Sequence, residues 1–298
     1  MRFDLTDLKL FVHIAESGSI TAGAQLAHLA LPSASARIRG MEEALKIPLL
    51  QRGRRGAEPT EAGRTLLRHA RIIARQVDDM RADLAEFTAG VKGQLRLLCN
   101  TSAMTEFLPE ALAAFLASHP QLSIDLEERL SRDIVQAVTD GAADIGIITD
   151  AVDSSALQTF AFRDDPLVLV MARDHALARR LGKRRGIAFA DALAHDFIGL
   201  AGDSALQQYA AGQASRLGLR LSCKIRLRSF EAICRMAASG AGVALLPLAA
   251  VNRGDSAEQL RVVKLDESWA NRKLLICVRD HAALPVHARE LIAALRSA

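Results

Sequence analysis

His28-Leu29-Ala30-Leu31-Pro32-Ser33-Ala34-Ser35-Ala36-Arg37-Ile38-Arg39-Gly40-Met41-Glu42-Glu43-Ala44-Leu45 is the stretch that decides the fold of the N-terminal third. His28 to Ala30 reads as a tight turn, and a helix begins near Leu31. Pro32 stands in its first turn, where a missing N–H costs nothing. Ile38, Met41 and Leu45 share one apolar face. Upstream, Ile20 to Ala27 is a second short helix, and Gly18-Ser19 separates it from a first, Thr6 to Glu16. In that first helix Leu8, Phe11, Val12 and Ala15 recur at helical spacing, with Thr6 as the expected N-cap. Three short helices with a tight second turn make a helix-turn-helix.

Downstream, Arg52-Gly53-Arg54-Arg55-Gly56 places paired arginines between two glycines, the composition of a hairpin loop and a plausible wing. Thr60 then caps a helix running to about Thr88. Its apolar residues Leu66, Ala70, Ile73, Val77, Met80, Leu84 and Phe87 alternate spacings of four and three. Such a seam fits a coiled coil with a second copy of the chain, a dimerisation helix. The lesser alternative is a long helix lying on its own domain's core.

Residues 89–93, Ala-Gly-Val-Lys-Gly, read as a hinge. Beyond it strands and helices alternate. Gln94–Cys99, Leu122–Glu127 and Ile145–Thr149 are strands, separated by helices at Phe107–Ser118 and Ile134–Asp140. This order predicts a parallel sheet with helical crossovers. A second α/β unit follows from strand Pro166–Ala172 through Val243–Leu246, and strand Leu274–Arg279 and helix Ala288–Arg296 close the chain. The expected organisation is a helix-turn-helix domain at 1–60, a linker helix at 61–88, the hinge, and an α/β domain at 94–298. Within the last, one lobe spans about 94–165 and 267–298, the other about 166–266.

The 298 residues are 50% hydrophobic and 24% charged, with a net charge of +4. These are proportions of a globular chain, and the mild excess of cations suits a polyanionic partner. The four cysteines are scattered without a C-x-x-C, and no histidines stand at metal-ligand spacing, so neither a structural zinc nor any other cofactor is expected. The N-terminus lacks an apolar run of signal-peptide length and no stretch reaches transmembrane length, which leads to an expected cytoplasmic location without membrane contact.

A recognition helix presents short polar and basic side chains near its N-terminus. Ser33, Ser35, Arg37 and Arg39 fit that role, with Arg52, Arg54 and Arg55 on the wing. Residues 31–56 hold six basic residues against two acidic, an excess equal to that of the whole chain. Serine hydroxyls and free N–H groups suit phosphate oxygens, and arginine can neutralise a phosphate or read guanine.

The order Phe11-Val12, Ser17-Gly18-Ser19-Ile20-Thr21, Pro32-Ser33-Ala34-Ser35, Ile38, Met41-Glu42, Leu45, Pro48-Leu49-Leu50, Arg52 and Pro59-Thr60-Glu61-Ala62-Gly63 resembles the LysR-type transcriptional regulators. The long helix and the two-lobed remainder also fit that family. The resemblance implies an α/β chain with three parts: a winged helix-turn-helix, a coiled-coil linker helix, and a two-lobed domain built like periplasmic binding proteins. It implies a homodimer or homotetramer on double-stranded DNA, and a small-molecule effector held between the lobes. Four positions depart from the common pattern. Ala30-Leu31 stands where Ser-Gln is usual, Gly23 where Ala is usual, and Ala27 where Leu is common.

Ligands in paired α/β lobes sit where strand C-termini meet helix N-termini. That rule selects Asn100, Thr101, Ser102, Ser131 and Thr149 in the first lobe, and Gly202, Ser204, Ser229 and Phe230 in the second. These neutral groups and exposed N–H donors could hold a small carboxylate or aromatic acid without a dedicated arginine; helix capping accounts for the serines equally. Gly240-Ala241-Gly242 follows a helix and opens a strand, the reverse of a dinucleotide fingerprint. The basic run Arg179 to Arg185 reads as a solvated loop. No catalytic pair or metal cluster supports an enzyme. The alternative to a regulator is a small-molecule-binding module without specific DNA recognition.

Overall fold

The computed structural model describes residues 3–53, 56–86, 94–254 and 256–297. Its internal contacts separate two compact units. One holds residues 1–93 with 139–142, the other 94–138 and 143–298.

The first unit opens with α1 (Leu5–Ser17), α2 (Ile20–Leu26) and α3 (Leu31–Leu45). Asp4, not Thr6, caps α1. Its carboxylate accepts from the Asp7 amide at 3.0 Å while Asp7 accepts from the Asp4 amide at 2.9 Å. Two acidic side chains thus satisfy two orphan amides at the positive end of the helix. Gly18 ends α1 at φ +64°, and Ser19 caps α2 through the Ala22 amide. Leu10, Phe11, Ile14, Ala24, Ala34, Ile38 and Met41 bury at helical spacing and form the core. β1 (Leu50–Gly53) and β2 (Gly56–Pro59) pair antiparallel as the wing. Glu42 Oε1 accepts from the amides of Leu49 and Leu50, so this acidic residue of α3 anchors the first wing strand.

α4 (Glu61–Glu86) starts at Thr60, whose Oγ1 accepts from the Gly63 amide at 3.0 Å. Both readings of its apolar stripe apply, to different turns. Ala70 is fully buried and Leu66 is packed against the helical core of the same unit, which removes these two from an intermolecular seam. Farther on, Ile73 and Met80 are 41% and 49% exposed, and Val77 is half-buried. Leu84 lies on the same helix; Phe87 and the hinge at 89–93 fall outside the described residues.

In the second unit β3 (Gln94–Cys99), α5 (Leu108–Ser118), β4 (Ser123–Glu128), α6 (Ser131–Thr139), β5 (Ile145–Thr149) and β6 (Gln158–Asp164) build the first lobe. β7 (Leu167–Ala172), α7 (Ala176–Leu181), β8 (Gly186–Ile187), α8 (Phe189–Ala192), β9 (Phe197–Leu200), α9 (Ala205–Arg216), β10 (Cys223–Leu227), α10 (Phe230–Ala238), β11 (Ala244–Pro247), α11 (Leu248–Arg253) and β12 (Leu260–Leu265) form the second. The chain then returns to the first lobe through β13 (Lys273–Val278) and α12 (Val286–Ser297).

The first-lobe sheet has the order β4-β3-β5-β13-β6. β3 runs parallel to β4 and β5, as the alternating pattern predicts, but β13 is antiparallel to both β5 and β6. The sheet is therefore mixed. The return strand enters from the other lobe, and no helical crossover sets its direction. The second lobe has β11-β7-β12-β8, with β9 and β10 joined to it by a bridge between Phe197 and Val243. Arg179 and Arg180 lie in the last turn of α7, where cations meet the negative helix end. Only the remainder of that basic run is loop.

Candidate functional site

α3 has one buried face and one bare face. Ala34, Ile38 and Met41 point inward; Pro32, Ser33, Ala36, Arg39 and Gly40 are exposed. The exposed side is slim, and a Cβ added at Gly40 would meet nothing within 4 Å. Small side chains let a helix backbone approach base edges closely. Ser33 and Arg39 face solvent there, and Ser35 is half-buried. Arg37 is held differently. Its Nη1 donates to Asp7 Oδ1 at 2.7 Å and to Asp4 Oδ1 at 3.4 Å, tying α3 to the start of α1. The Asp7 and Asp4 carboxylates raise its pKa further. Its assignment as a free DNA contact is corrected to a helix-to-helix tie. Arg52 lies on β1 within the wing, while Arg54 and Arg55 fall outside the described residues.

The turn before α3 places His28 at φ +54°, a left-handed conformation for a non-glycine residue. Gly23 stands where α1 and α2 meet. A Cβ there would lie 2.7 Å from the Ile14 amide nitrogen and 2.8 Å from its Cα.

The second site is a cleft of about 320 Å³ between the two lobes of the second unit. Asn100, Thr101, Ser102, Ser131 and Thr149 all line it. Three of these side chains have tasks already. Ser131 Oγ accepts from the Thr149 amide at 3.1 Å, joining the start of α6 to the end of β5. Ser102 Oγ accepts from Arg272 Nη2 at 2.8 Å. Thr101 Oγ1 reaches Glu128 and the start of α9. Asn100 differs. It is 5% exposed, and its Oδ1 accepts from the Ala103 amide at 2.9 Å. That bond orients the amide and leaves buried Nδ2 with no hydrogen-bond partner. A buried donor without a partner costs stability unless a water or a ligand acceptor meets it.

Among the second-lobe expectations, Gly202, Ser204, Ser229 and Phe230 do not line the cleft. Ser229 Oγ accepts from the Ala232 amide and caps α10, and Phe230 is 6% exposed in the lobe core. Ser204 lies 3.2 Å from Thr101 Oγ1, and Gly202 precedes it in the loop. The far wall is instead one face of α9, where Ala205, Gln208, Tyr209, Gly212 and Arg216 repeat at helical spacing. A helix whose small and polar residues share one stripe is the sequence signal that points there. Trp269, the sole tryptophan, and Arg272 complete the wall.

Arginine enters the lining at Arg132, Arg216 and Arg272, and no Asp or Glu does. The expectation of a cleft without a dedicated arginine is therefore corrected. Arg272 sits where the chain returns to the first lobe, and Asp165 where it leaves. The Asp165 amide donates to the Arg272 carbonyl at 3.0 Å, and the two side chains form an ion pair at 2.5 Å. Burial pushes the Asp165 carboxyl up, against the opposing pull of Arg272 and Ser102. Arg132 pairs only with its exposed neighbour Asp133 at 3.4 Å, and Arg216 reaches Gln213 at 3.5 Å.

Two family models match the chain. One is the bacterial regulatory helix-turn-helix protein, lysR family, over residues 5–64; the other is the LysR substrate binding domain over residues 88–298. The chain belongs to the LysR family of transcriptional regulators. This regulator is 26% identical over 295 residues to the uncharacterized HTH-type transcriptional regulator YbhD of Escherichia coli, covering 99% of this chain and 92% of that one. It is 26% identical to the hydrogen peroxide-inducible genes activator of Pectobacterium carotovorum, covering 84% and 82%. Its fold is shared with a full-length OxyR variant from Pseudomonas aeruginosa (TM-score 0.67, 18% identity, 98% and 97% covered). It is also shared with full-length CbnR in complex with its target DNA (TM-score 0.57, 19% identity, 99% of each chain covered). As a LysR-family member, the regulator binds DNA through its helix-turn-helix and carries a substrate-binding domain for a small-molecule effector. Among its described residues no helix is long and apolar enough to cross a membrane.

Proposed function

We propose that this regulator reads DNA with the slim face of α3, through Ser33, Ser35 and Arg39, and steadies it with the wing residues Arg52, Arg54 and Arg55. Arg37 supports this face from behind. The effector occupies the cleft and is an anion, a small carboxylate or aromatic acid. The observation that carries the effector reading is the buried, unpaired Nδ2 of Asn100, in a wall with three arginines and no carboxylate. Tyr209 and Trp269 stand 6.0 Å apart edge to face, an apolar surface suited to a planar body.

Copies of the chain pair through the apolar stripe that continues beyond Ala70, at Ile73, Val77, Met80, Leu84 and Phe87. The protein works in the cytoplasm and is not an enzyme. Its working parts are residues 1–60 on DNA, 61–88 between copies, and 94–298 on the effector, with 89–93 as the hinge.

The test is a thermal-shift screen of the full chain with mono- and dicarboxylates and aromatic acids, followed by gel shifts with DNA flanking its own gene. A binder raises the melting temperature by mass action. Arg216→Ala should abolish that shift without lowering the melting temperature of the protein alone; Asn100→Ala should abolish it too, with a lower starting melting temperature because the Ala103 amide loses its acceptor. A hit that stabilises both variants as well as the wild type removes the cleft assignment.

A further inference from the structure

Helix α9 is twelve residues long, and its own N-cap residue, Ser204, makes no side-chain bond to it. The first turn of such a helix carries orphan amides and a partial positive charge. Two of those amides are satisfied from the opposite lobe. The Ala205 amide donates to Glu128 Oε1 at 2.9 Å, and the Leu206 amide donates to Thr101 Oγ1 at 3.1 Å. The two first-lobe groups are themselves joined, because the Thr101 hydroxyl donates to Glu128 Oε1 at 2.6 Å. A hydroxyl has one proton, so Ser204 is the donor in its 3.2 Å contact with Thr101 Oγ1. Four bonds therefore form one cluster, two of them on Glu128 Oε1 and three on Thr101 Oγ1, and three of the four cross between the lobes.

Glu128 ends β4, the edge strand of the first-lobe sheet. Among the described residues no cation lies within ion-pair distance of it. The positive end of α9 is its counter-charge, and a carboxylate bound there needs no arginine. Glu128 does not line the cleft, yet Thr101, Ala205 and Leu206 do. The carboxylate closes the cleft from behind, at the end where a free anion would otherwise dock.

We propose that Glu128 is a resident anion that clasps the lobes together and reserves the N-terminus of α9 against outside anions. A ligand acid group is thereby directed away from α9's first turn, toward Arg132 and Arg216, and an acceptor of the ligand meets Asn100 Nδ2. A clasp made of the chain's own residues contributes to holding the lobes together, so effector affinity carries less of that cost, and a residue outside the cleft lining controls it. Only this regulatory consequence rests on the cleft being the effector site; the clasp itself is made by Glu128, Thr101 and the start of α9.

The test replaces Glu128 in the full-length protein and offers formate as the missing carboxylate. Two readouts follow the clasp: the melting temperature, and acrylamide quenching of Trp269, the sole tryptophan and a cleft residue. E128A should lower the melting temperature by about 2–4 °C, the shift expected for loss of one such interaction in a domain of this size, and should increase quenching. Formate should restore at least half of both changes, while sodium chloride at equal ionic strength restores neither. Wild type should respond less than E128A, and only through the cleft, so Arg216→Ala should remove the wild-type response without removing that of E128A. E128Q keeps an acceptor oxygen but no charge, and should fall between the two. It carries the comparison if E128A does not fold. Equal melting of E128Q and wild type, unchanged quenching in the variants, or equal stabilisation of wild type and variant by formate would each overturn the clasp. If the clasp signatures appear and no acid ever stabilises the wild type, the effector assignment fails while the clasp stands.

Discussion

Arg37 and Asp7 stand 2.7 Å apart, and the bond between them joins the recognition helix to the helix that begins the chain. The Asp7 side chain is 10% exposed and the Arg37 side chain 35%. Removing the arginine leaves a buried carboxylate with a lost partner, at a cost of about 1–2 kcal/mol after allowance for solvent. Arg37→Ala should therefore lower the urea midpoint of the N-terminal unit. Arg39→Ala, on the exposed face, should leave that midpoint unchanged, weaken DNA binding, and reduce the salt slope of log K by about one. Urea melts and gel shifts at several salt concentrations separate the two arginines. A stable Arg37→Ala protein with reduced salt slope would return Arg37 to the DNA contacts.

Gly23 lies inside α2, where alanine has the better helix propensity by about 1 kcal/mol. Propensity alone makes Gly23→Ala stabilising. The contact with the Ile14 backbone reverses the sign, because backbone atoms of a packed helix cannot step aside as a side chain can. The expected result is a loss of about 1–3 kcal/mol, read as a lower denaturation midpoint of the N-terminal unit.

Met80 is 49% exposed on α4, so a charge there disturbs little of the chain's own core. Met80→Glu should leave far-ultraviolet circular dichroism unchanged and reduce the mass seen in sedimentation equilibrium. Ala70→Glu, by contrast, introduces a charge at a fully buried site and should unfold the N-terminal unit outright. The pair of variants distinguishes the intermolecular stretch of the helix from the stretch committed to its own domain.

Burial pushes the thiols of Cys99 and Cys277 up to about 12, and that of Cys234 up to about 11. At neutral pH all three are protonated and poor nucleophiles. A disulfide reagent at pH 8 should modify half-buried Cys223 first in the folded protein, with the others reacting only on unfolding. Hydrogen peroxide at micromolar levels should leave DNA binding unchanged, although a relative is named a hydrogen peroxide-inducible genes activator. The sign of the pH effect follows. A raised folded-state thiol pKa contributes stability that is intact below about pH 8.5 and lost as pH climbs toward 12. Alkaline melts of the wild type should show this fall, and Cys99→Ser/Cys277→Ser should flatten it.

Local chemistry was enough to read the helix-turn-helix. The turn at His28, the Pro32 start and the Ile38 and Met41 face are short-range patterns, and α3 spans Leu31–Leu45 as they predict. The β-α-β order of the first lobe was legible for the same reason, and so were five residues of its wall, because strand ends that feed helices are visible in a linear chain. Other features depend on which elements meet. Arg37 looks like any surface arginine until α1 places Asp7 beside it. Gly23 looks unfavourable until Ile14 comes against it. The apolar stripe of α4 divides between core and free surface only once α1 covers Leu66 and Ala70. The direction of β13, the arginines of the cleft and the capping of α9 by Glu128 and Thr101 join residues from about 75 to 170 positions apart. No periodicity records such a meeting, since the free energy that selects it comes from burial and from pairing orphaned amides after the lobes come together. The sequence by itself determined the family, the elements and the bare recognition face; tertiary packing decided which charged side chains face a ligand and which hold the protein to itself.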